Sequence, residues 1–279
     1  MKHFIKRHPI WSFLIINYLI SWSFLYPSYQ IILANDKITP LALIGLIGAY
    51  GPSIAAIIVQ GVLDKKQLRS LLKKLIKVKT GWRLILFVLI VPILLYVLAY
   101  VVAAIIYNGD LKVHWLLGFS NIPFWFLAAL PFGPMGEELG WRGFLLPKLL
   151  EKYSIIKSTL FVGLAWGIWH LASFSFPGAA IPDFLPVSVW TVSLFCMNTI
   201  ALSMIYTFVH LKSNGSVFLA ILLHAFFNLA SNVVFDFFTE TENFSILLTT
   251  YCLNILLAGI CGYLLIMKNK KNTLGTTKS

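Results

Sequence analysis

The stretch that decides the fold is residues 84–107, LILFVLIVPILLYVLAYVVAAIIY, which contains no charged side chain. A bilayer core about 30 Å thick is crossed by a helix of about 20 apolar residues, because each helical residue rises about 1.5 Å. A run of this length and character predicts a transmembrane helix rather than the core helix of a soluble domain.

The rest of the chain has the same character. Of its 279 residues, 59% are hydrophobic and 11% are charged, whereas soluble domains carry about 25% charged residues. The apolar stretches leave no long soluble segment between them, so we predict a single integral membrane domain over residues 1–279. The predicted fold is all-α, a polytopic membrane helix bundle of about eight transmembrane helices. The predicted spans are 10–33, 41–63, 84–107, 115–150 (long and broken), 158–176, 187–209, 217–235 and 244–267.

Positive charge is distributed unevenly between the loops. Of the 22 Lys and Arg residues, all except Lys37, Lys112 and Arg142 lie at the two ends of the chain or at loops after even-numbered spans. Basic loops mark the cytoplasmic side of a membrane protein. We therefore predict a plasma-membrane protein with both termini cytoplasmic. The net charge of +12 follows from this asymmetry, and we expect no nucleic-acid partner.

Two segments outside the spans have distinct compositions. Residues 65–79 place leucines and an isoleucine on one helical face and lysines on the rest, which predicts an interfacial amphipathic helix and anionic lipid as a partner. The alternative is a solvated basic loop. The polar segment 268–279 predicts a disordered cytoplasmic tail.

Five ionisable residues fall inside the predicted spans: Glu137, Glu138, Arg142, His170 and His224. Such residues are costly in lipid and face a bundle interior or a cavity, so each is a functional hypothesis. Counted along their helices from the nearest basic loop residue, Glu137, His170 and His224 all lie roughly 16–20 Å deep. This shared depth on three helices predicts that they meet in one cavity, which we expect to open toward the basic face.

Local spacing separates the two carboxylates. Glu138 and Arg142 are four residues apart, which predicts an ion pair along the helix, whereas Glu137 is rotated by about 100° toward another neighbour. The preceding run 131–136, PFGPMG, predicts a broken or kinked helix. Irregular backbone at this depth is tolerated only when it is buried in protein or lines a wet cavity.

Two further pairs share a helical face at the same spacing, Trp166 with His170 and His224 with Asn228. Carboxylates, imidazoles and an amide can activate water and stabilise an oxyanion, or hold a metal. Taken singly, each histidine or Asn228 also fits a hydrogen-bonding contact between helices. The coincidence of depth and chemistry favours a functional site.

These residues resemble three motifs of one family. The string Glu137-Glu138-Leu-Gly-Trp-Arg142 resembles the Glu-Glu-x-x-x-Arg motif of the CAAX protease and bacteriocin-processing (abortive-infection) family, which includes the Ras-converting CAAX endopeptidase. Residues 166–170 resemble its Phe-x-x-x-His motif, with Trp in place of Phe. Residues 224–228 resemble its His-x-x-x-Asn/Asp motif. The motifs occur in the family's order within the core region 137–228.

The resemblance implies an eight-helix intramembrane endopeptidase acting on a membrane-anchored protein or peptide. It implies that Glu137 activates water with His170 as its partner, and that His224 and Asn228 stabilise the oxyanion. The remaining motif residues are expected to be structural or to orient the substrate: Glu138, Arg142 and Trp166. The family is often termed metalloprotease, so zinc held by Glu137, His170 and His224 stays an alternative to a metal-free mechanism.

Two other classes of function are weighed against this one. A non-catalytic immunity or scaffold protein would use the same bundle without hydrolysis. A proton-coupled transporter would use Glu137, Glu138 and the histidines as a relay, but transporters commonly show internal repeats, and the sequence contains no such repeat.

Overall fold

The structure is a computed structural model that describes residues 2–106, 126–127, 130–131, 133–235 and 240–276. All regular elements in these ranges are helices, and the ranges contain no strand. Large apolar side chains cover much of the outer surface, including Trp11, Leu19, Ile105 and Leu256. A surface of this kind belongs in lipid, and the predicted all-α membrane bundle is confirmed.

The helices of the first half precede a break in the described chain. They are α1 (Lys2–Arg7), α2 (Pro9–Asn35), a 3-10 turn (Leu41–Ile44), α3 (Gly45–Ala49), α4 (Gly51–Leu63), α5 (Lys65–Lys73), a 3-10 turn (Lys74–Ile76) and α6 (Trp82–Ile106).

The second half begins with a broken helix and continues with long ones. It comprises α7 (Pro134–Glu138), a π-helix (Leu139–Leu145), α8 (Leu146–Leu150), α9 (Ile155–Trp169) with a 3-10 turn (His170–Ser175), α10 (Val189–Lys212), α11 (Val217–Phe235) and α12 (Glu240–Thr276).

Five helices of the described part are long and apolar enough to cross a membrane, and a sixth is counted if α3 and α4, bent by 52°, form one span. These six match predicted spans. The other two predicted spans are 115–150, whose first part lies outside the described residues, and 217–235. The latter is helical, but its apolar part, Val217–Ser231, is shorter than a usual span.

Two predicted segments differ from the structure in extent. The amphipathic helix expected over 65–79 ends at Lys73 and gives way to a 3-10 turn. Of its apolar face, Leu71 is buried in the protein while Leu72 and Ile76 are exposed. The segment from 268, expected to be a disordered tail, is helical as far as Thr276 as part of α12.

The broken helix lies at the centre of the bundle. Its three pieces contact α4, α9, α10 and α11. Helices α9, α10, α12, α6 and α11 contact one another in that order. Trp141, Phe144 and Leu145 are fully buried within these contacts. The centre of the core is therefore the helix that carries the Glu-Glu-x-x-x-Arg motif.

Two glycines allow this helix to approach its neighbours closely. A Cβ on Gly136 would lie 2.5 Å from the carbonyl oxygen of Ala49, and one on Gly140 would lie 2.5 Å from the backbone of Pro52. Small residues four apart permit such contacts between membrane helices. The contacts fix the height of Glu137 and Glu138, which lie between the two glycines.

Candidate active site

The backbone around the glutamates departs from a regular helix on both sides. Helix α7 begins at Pro134, where the absent N–H costs no hydrogen bond, and gives way to a π-helix from Leu139. Single turns of π-helix occur frequently at functional sites. The sequence predicted the break from its prolines and glycines, but it did not predict the π-helix that carries Arg142.

The side chains predicted to meet line one cavity of about 570 Å³. Glu137 comes from α7, His170 from the end of α9, and His224 and Asn228 from α11. Trp166 lines the same cavity. Three separate helices thus bring the carboxylate, the imidazoles and the amide to a shared space.

One of the two carboxylate oxygens of Glu137 is held in place by a hydrogen bond. Only 4% of this residue is exposed, and its Oε2 accepts a hydrogen bond from the indole Nε1 of Trp166 at 2.6 Å. A Cβ built on Gly133 would lie 3.4 Å from Oε1 of Glu137 and 3.7 Å from Nδ2 of Asn228, so these two atoms are at most about 7 Å apart. Oε1, the oxygen that Trp166 does not contact, therefore lies within about 7 Å of the side-chain nitrogen of Asn228.

The predicted ion pair between Glu138 and Arg142 is present and fully buried. Nη1 of Arg142 lies 2.9 and 3.2 Å from the two carboxylate oxygens. The guanidinium also lies over the rings of Trp166, at 4.4 Å, and Tyr206, at 4.1 Å. Glu138 additionally contacts His224, whose Nδ1 is 2.8 Å from Oε1, so the ion pair extends to the imidazole.

The partners of the two imidazoles determine which ring nitrogen carries a proton. Nδ1 of His170 lies 2.8 Å from the carbonyl oxygen of Trp166, which can only accept, so Nδ1 is the donor. Glu138 is paired with Arg142 and also accepts only, so Nδ1 of His224 donates to it. In both rings Nε2 is the nitrogen left for a water or a substrate.

A metal centre built from Glu137, His170 and His224 is not supported by this arrangement. Within the part of the chain that the structure describes, no group of three or more His, Cys, Asp or Glu side chains is placed to hold a metal ion. Structural and catalytic zinc sites use at least three such ligands.

Several cavity residues were missed by the sequence analysis. The ring of Tyr206 lies under Arg142, and its buried hydroxyl has no protein partner in the described part of the chain. Asn254 and Asn198 are joined by a 2.9 Å hydrogen bond and line the cavity. A search for amides as well as charges within spans would have found both asparagines, but no pattern indicated Tyr206.

Part of the cavity lining is exposed at the protein surface. Its lining includes the segment 178–184, where Gly178, Ala179 and Asp183 are exposed. Leu145 and Leu146, which lie on the side of the basic loops, are fully buried. The described lining thus includes residues at the end of the bundle opposite the basic loops, and the expected opening toward the basic face stays a prediction. The sequence predicts a site near the middle of the membrane core, and this depth does not indicate the membrane face at which the cavity opens.

Comparison with known proteins gives matches that cover this site. Residues 119–230 match the family model described as Type II CAAX prenyl endopeptidase Rce1-like. A curated relative, CAAX prenyl protease 2 of Methanococcus maripaludis, is 31% identical over 111 residues. The aligned part is 40% of this chain and 40% of the relative's length.

The match and the geometry concern the same residues. The matched region begins before Glu137 and ends after Asn228, and so contains all three motifs and the helices that bring them to the cavity. Over residues 119–230, the chain's similarity to the Rce1-like CAAX prenyl endopeptidases, predicted from its motifs, is confirmed.

Proposed function

We propose that this protein is a membrane endopeptidase that hydrolyses a peptide bond of a membrane-associated protein or peptide. The observation that carries the proposal is the cavity shared by Glu137, His170, His224 and Asn228. Its polar side chains supply a base, an acceptor for water and donors for an oxyanion at one place. The matched family and the relative are both CAAX prenyl proteases, which supports the same class of reaction.

In the proposed reaction Glu137 takes a proton from a water molecule. The water oxygen forms a bond to the carbonyl carbon, and the carbonyl oxygen becomes an oxyanion. When the C–N bond breaks, the proton passes to the leaving nitrogen, so that one peptide and one water give a carboxylate and an amine. Trp166 occupies Oε2 of Glu137, which leaves Oε1 for the water.

His170 is proposed to orient the attacking water. Its Nδ1–H is used by the carbonyl of Trp166, so the neutral ring presents Nε2 as an acceptor. An acceptor beside Glu137 aligns the water through its second proton, and the ring can later pass a proton to the leaving amine.

His224 and Asn228 are proposed to stabilise the oxyanion. Nδ1 of His224 donates to Glu138, so Nε2 also donates only when the ring is protonated. The carboxylate of Glu138 is placed to compensate that charge. Nδ2 of Asn228 supplies a neutral donor on the same helix face. Removal of one oxyanion donor typically lowers the rate about 10²–10³-fold.

The substitution Glu137→Gln tests the base directly. We expect it to abolish turnover, because the amide cannot accept a proton from water, while the shape of the side chain is kept. The measurement is cleavage of membrane proteins by purified protein in liposomes, followed by mass spectrometry of the released peptides.

The matched control is Asp36→Asn, the same chemical change at an exposed helix end. Asp36 has φ +49°, a conformation that Asn tolerates well. The control should keep the wild-type rate. Cleavage by folded Glu137→Gln protein at the wild-type rate would refute the catalytic assignment.

A further inference from the structure

Helix α2 is joined to α9 and its 3-10 turn by side-chain hydrogen bonds at more than one level. The hydroxyl of Tyr18 donates to the carbonyl oxygen of Ala165 at 2.8 Å, and nearer the end of α2 the hydroxyl of Tyr29 lies 3.3 Å from that of Ser173. Tyr18 and Ala165 are not among the residues that line the motif cavity, whereas Tyr29 and Ser173 both line it together with Glu137. These two hydroxyls, here termed the hydroxyl pair, thus connect α2 to the site.

The hydroxyl pair lies one turn away from His170. Both His170 and Ser173 are in the 3-10 turn that follows α9, and side chains three residues apart in such a turn lie above one another, about 6 Å apart along its axis. Both residues line the cavity. An extended peptide advances about 3.3 Å per residue, so a substrate that runs along this wall with its scissile bond at His170 reaches the hydroxyl pair about two residues away.

One hydrogen of the hydroxyl pair has no acceptor in the described part of the chain. Two hydroxyls carry two hydrogens, and the contact between Tyr29 and Ser173 uses one of them, whichever oxygen donates. Tyr29 is only partly buried, and its ring is stacked on Phe176 with the centroids 5.1 Å apart, so its position is fixed. A fixed O–H donor can bind a carbonyl oxygen, and every residue of a peptide main chain carries one.

We propose that the hydroxyl pair of Tyr29 and Ser173 binds the main chain of the substrate, by donating its free hydrogen to a carbonyl oxygen about two residues from the scissile bond. The proposal rests on the proposed endopeptidase function and adds substrate-binding residues outside the three motifs. It requires a substrate that is extended along this wall, because a helical peptide uses its carbonyl oxygens internally. The hydroxyl pair contacts the substrate and not the reacting atoms, so it contributes to binding rather than to the chemical step.

The substitution Tyr29→Phe tests the contact, since it removes the hydroxyl and keeps the ring on Phe176. The substrate is a synthetic peptide that spans a cleavage site found in the liposome assay, cleaved by the wild type and not by Glu137→Gln. We expect Tyr29→Phe to raise KM about fivefold to tenfold with kcat unchanged, because it removes one neutral hydrogen bond that forms equally in the ground state and the transition state.

The matched control is Tyr18→Phe, the same change on the same helix. It removes the hydrogen bond to Ala165 without touching the cavity lining, and it should keep the wild-type KM. Ser173→Ala, which removes the other hydroxyl of the pair, is measured in the same way and should also raise KM. Thermal unfolding in detergent verifies that each variant is folded.

A series of peptides separates a direct contact from a structural role. Each peptide has one main-chain amide outside the scissile bond replaced by an ester, whose carbonyl oxygen is a weaker acceptor. We expect the ratio of KM between Tyr29→Phe and wild type to shrink for one ester, about two residues from the scissile bond, and to stay the same for the others. An equal ratio for every ester would overturn the proposal, as would a wild-type KM of Tyr29→Phe for the unmodified peptide. Absence of any Glu137-dependent cleavage would instead refute the proposed function itself, so the two failures are distinguishable.

Discussion

The indole of Trp166 gives Glu137 a partner that phenylalanine at this motif position could not provide. Its Nε1–H donates to Oε2 of Glu137 at 2.6 Å, and its ring lies over Arg142. The hydrogen bond fixes which carboxylate oxygen faces the cavity. Trp166 is therefore a positioning residue, and its two contacts can be separated because Phe keeps the ring and removes the donor.

We predict that Trp166→Phe lowers kcat by about 10-fold to 100-fold, since a hydrogen bond to a charged group contributes about 1.5–3 kcal/mol. The fold should be retained, because Phe preserves the contact with Arg142. The measurement is kcat and KM on a Glu137-dependent substrate, with thermal unfolding in detergent as the test of folding.

The control for this change is Trp22→Phe. The indole of Trp22 donates to the backbone carbonyl of Trp169 at 2.9 Å. The substitution therefore also removes an indole hydrogen bond, but one that does not involve a proposed catalytic residue. The Trp22→Phe protein should unfold at a lower temperature than the wild type and cleave the substrate at the wild-type rate. A wild-type kcat for Trp166→Phe would show that the hydrogen bond has no role in catalysis.

Sequence spacing could predict contacts within one helix but not those between helices. The Glu138–Arg142 pair follows from a four-residue separation, and the structure contains it. Glu138 and His224 are in contact although they are 86 positions apart in the sequence. No local sequence pattern predicts a contact between residues so far apart. The role of the second glutamate as a partner of an imidazole could therefore only be found in three dimensions.

At the scale of elements, the position of the broken helix is set by its glycines. Gly140 lies against the backbone of Pro52 in α4, and a Cβ there would be 2.5 Å from a carbonyl carbon and oxygen. A backbone neighbour cannot rotate away as a side chain can. The helix that carries Glu137 must therefore shift if Gly140 is enlarged.

We predict that Gly140→Ala lowers the stability by about 1–3 kcal/mol or more, the usual cost of overpacking, and lowers kcat as the glutamates move. The control is Gly259→Ala in α12, where an added Cβ has no neighbour within 4 Å. Helical Gly→Ala changes without a clash stabilise by about 0.5–1 kcal/mol. Thermal unfolding in one detergent compares the two, and equal melting temperatures would contradict the close contact.

Long apolar runs predicted most helices because the membrane imposes one length and one composition on a span. Length and composition do not predict where a helix breaks when the backbone is irregular. The division of 134–150 into α7, a π-helix and α8 depends on packing against α4. The end of α5 at Lys73 and the burial of Leu71 in the bundle are likewise not given by a count of amphipathic positions.

At the scale of the whole molecule, the basic face contains a second, separate pocket of about 390 Å³. Its apolar wall is formed by Pro9, Ile10 and Leu63. Lys148 is paired with Glu151, and the carboxylate of Asp64, also in the lining, accepts hydrogen bonds from the backbone at the start of α5. The other basic residues of the lining form no ion pair in the described part of the chain: Lys6, Arg7 and Lys152.

Positive charge on this face is poorly compensated. Burial, followed by the positive charges of Lys77 and Lys148, lowers the pKa of Lys74 on the neighbouring turn. A pocket with unpaired cations above an apolar wall suits the phosphate and upper chains of an anionic phospholipid. The anionic-lipid contact predicted for helix 65–79 stays a prediction, and this pocket is a second candidate site for such a lipid.

We predict that phosphatidylglycerol raises the melting temperature of the protein more than phosphatidylcholine does, and that Lys6→Gln/Arg7→Gln/Lys152→Gln weakens this binding about tenfold or more. The matched control removes three exposed charges of α5, outside the pocket: Lys65, Lys66 and Arg69. Titration of each lipid into detergent-solubilised protein gives the affinities. Weaker lipid binding in the pocket variant but not in the α5 control indicates a specific site. Diffuse attraction to a leaflet depends on total charge and would weaken equally in both variants. Equal losses in both variants would contradict a specific pocket.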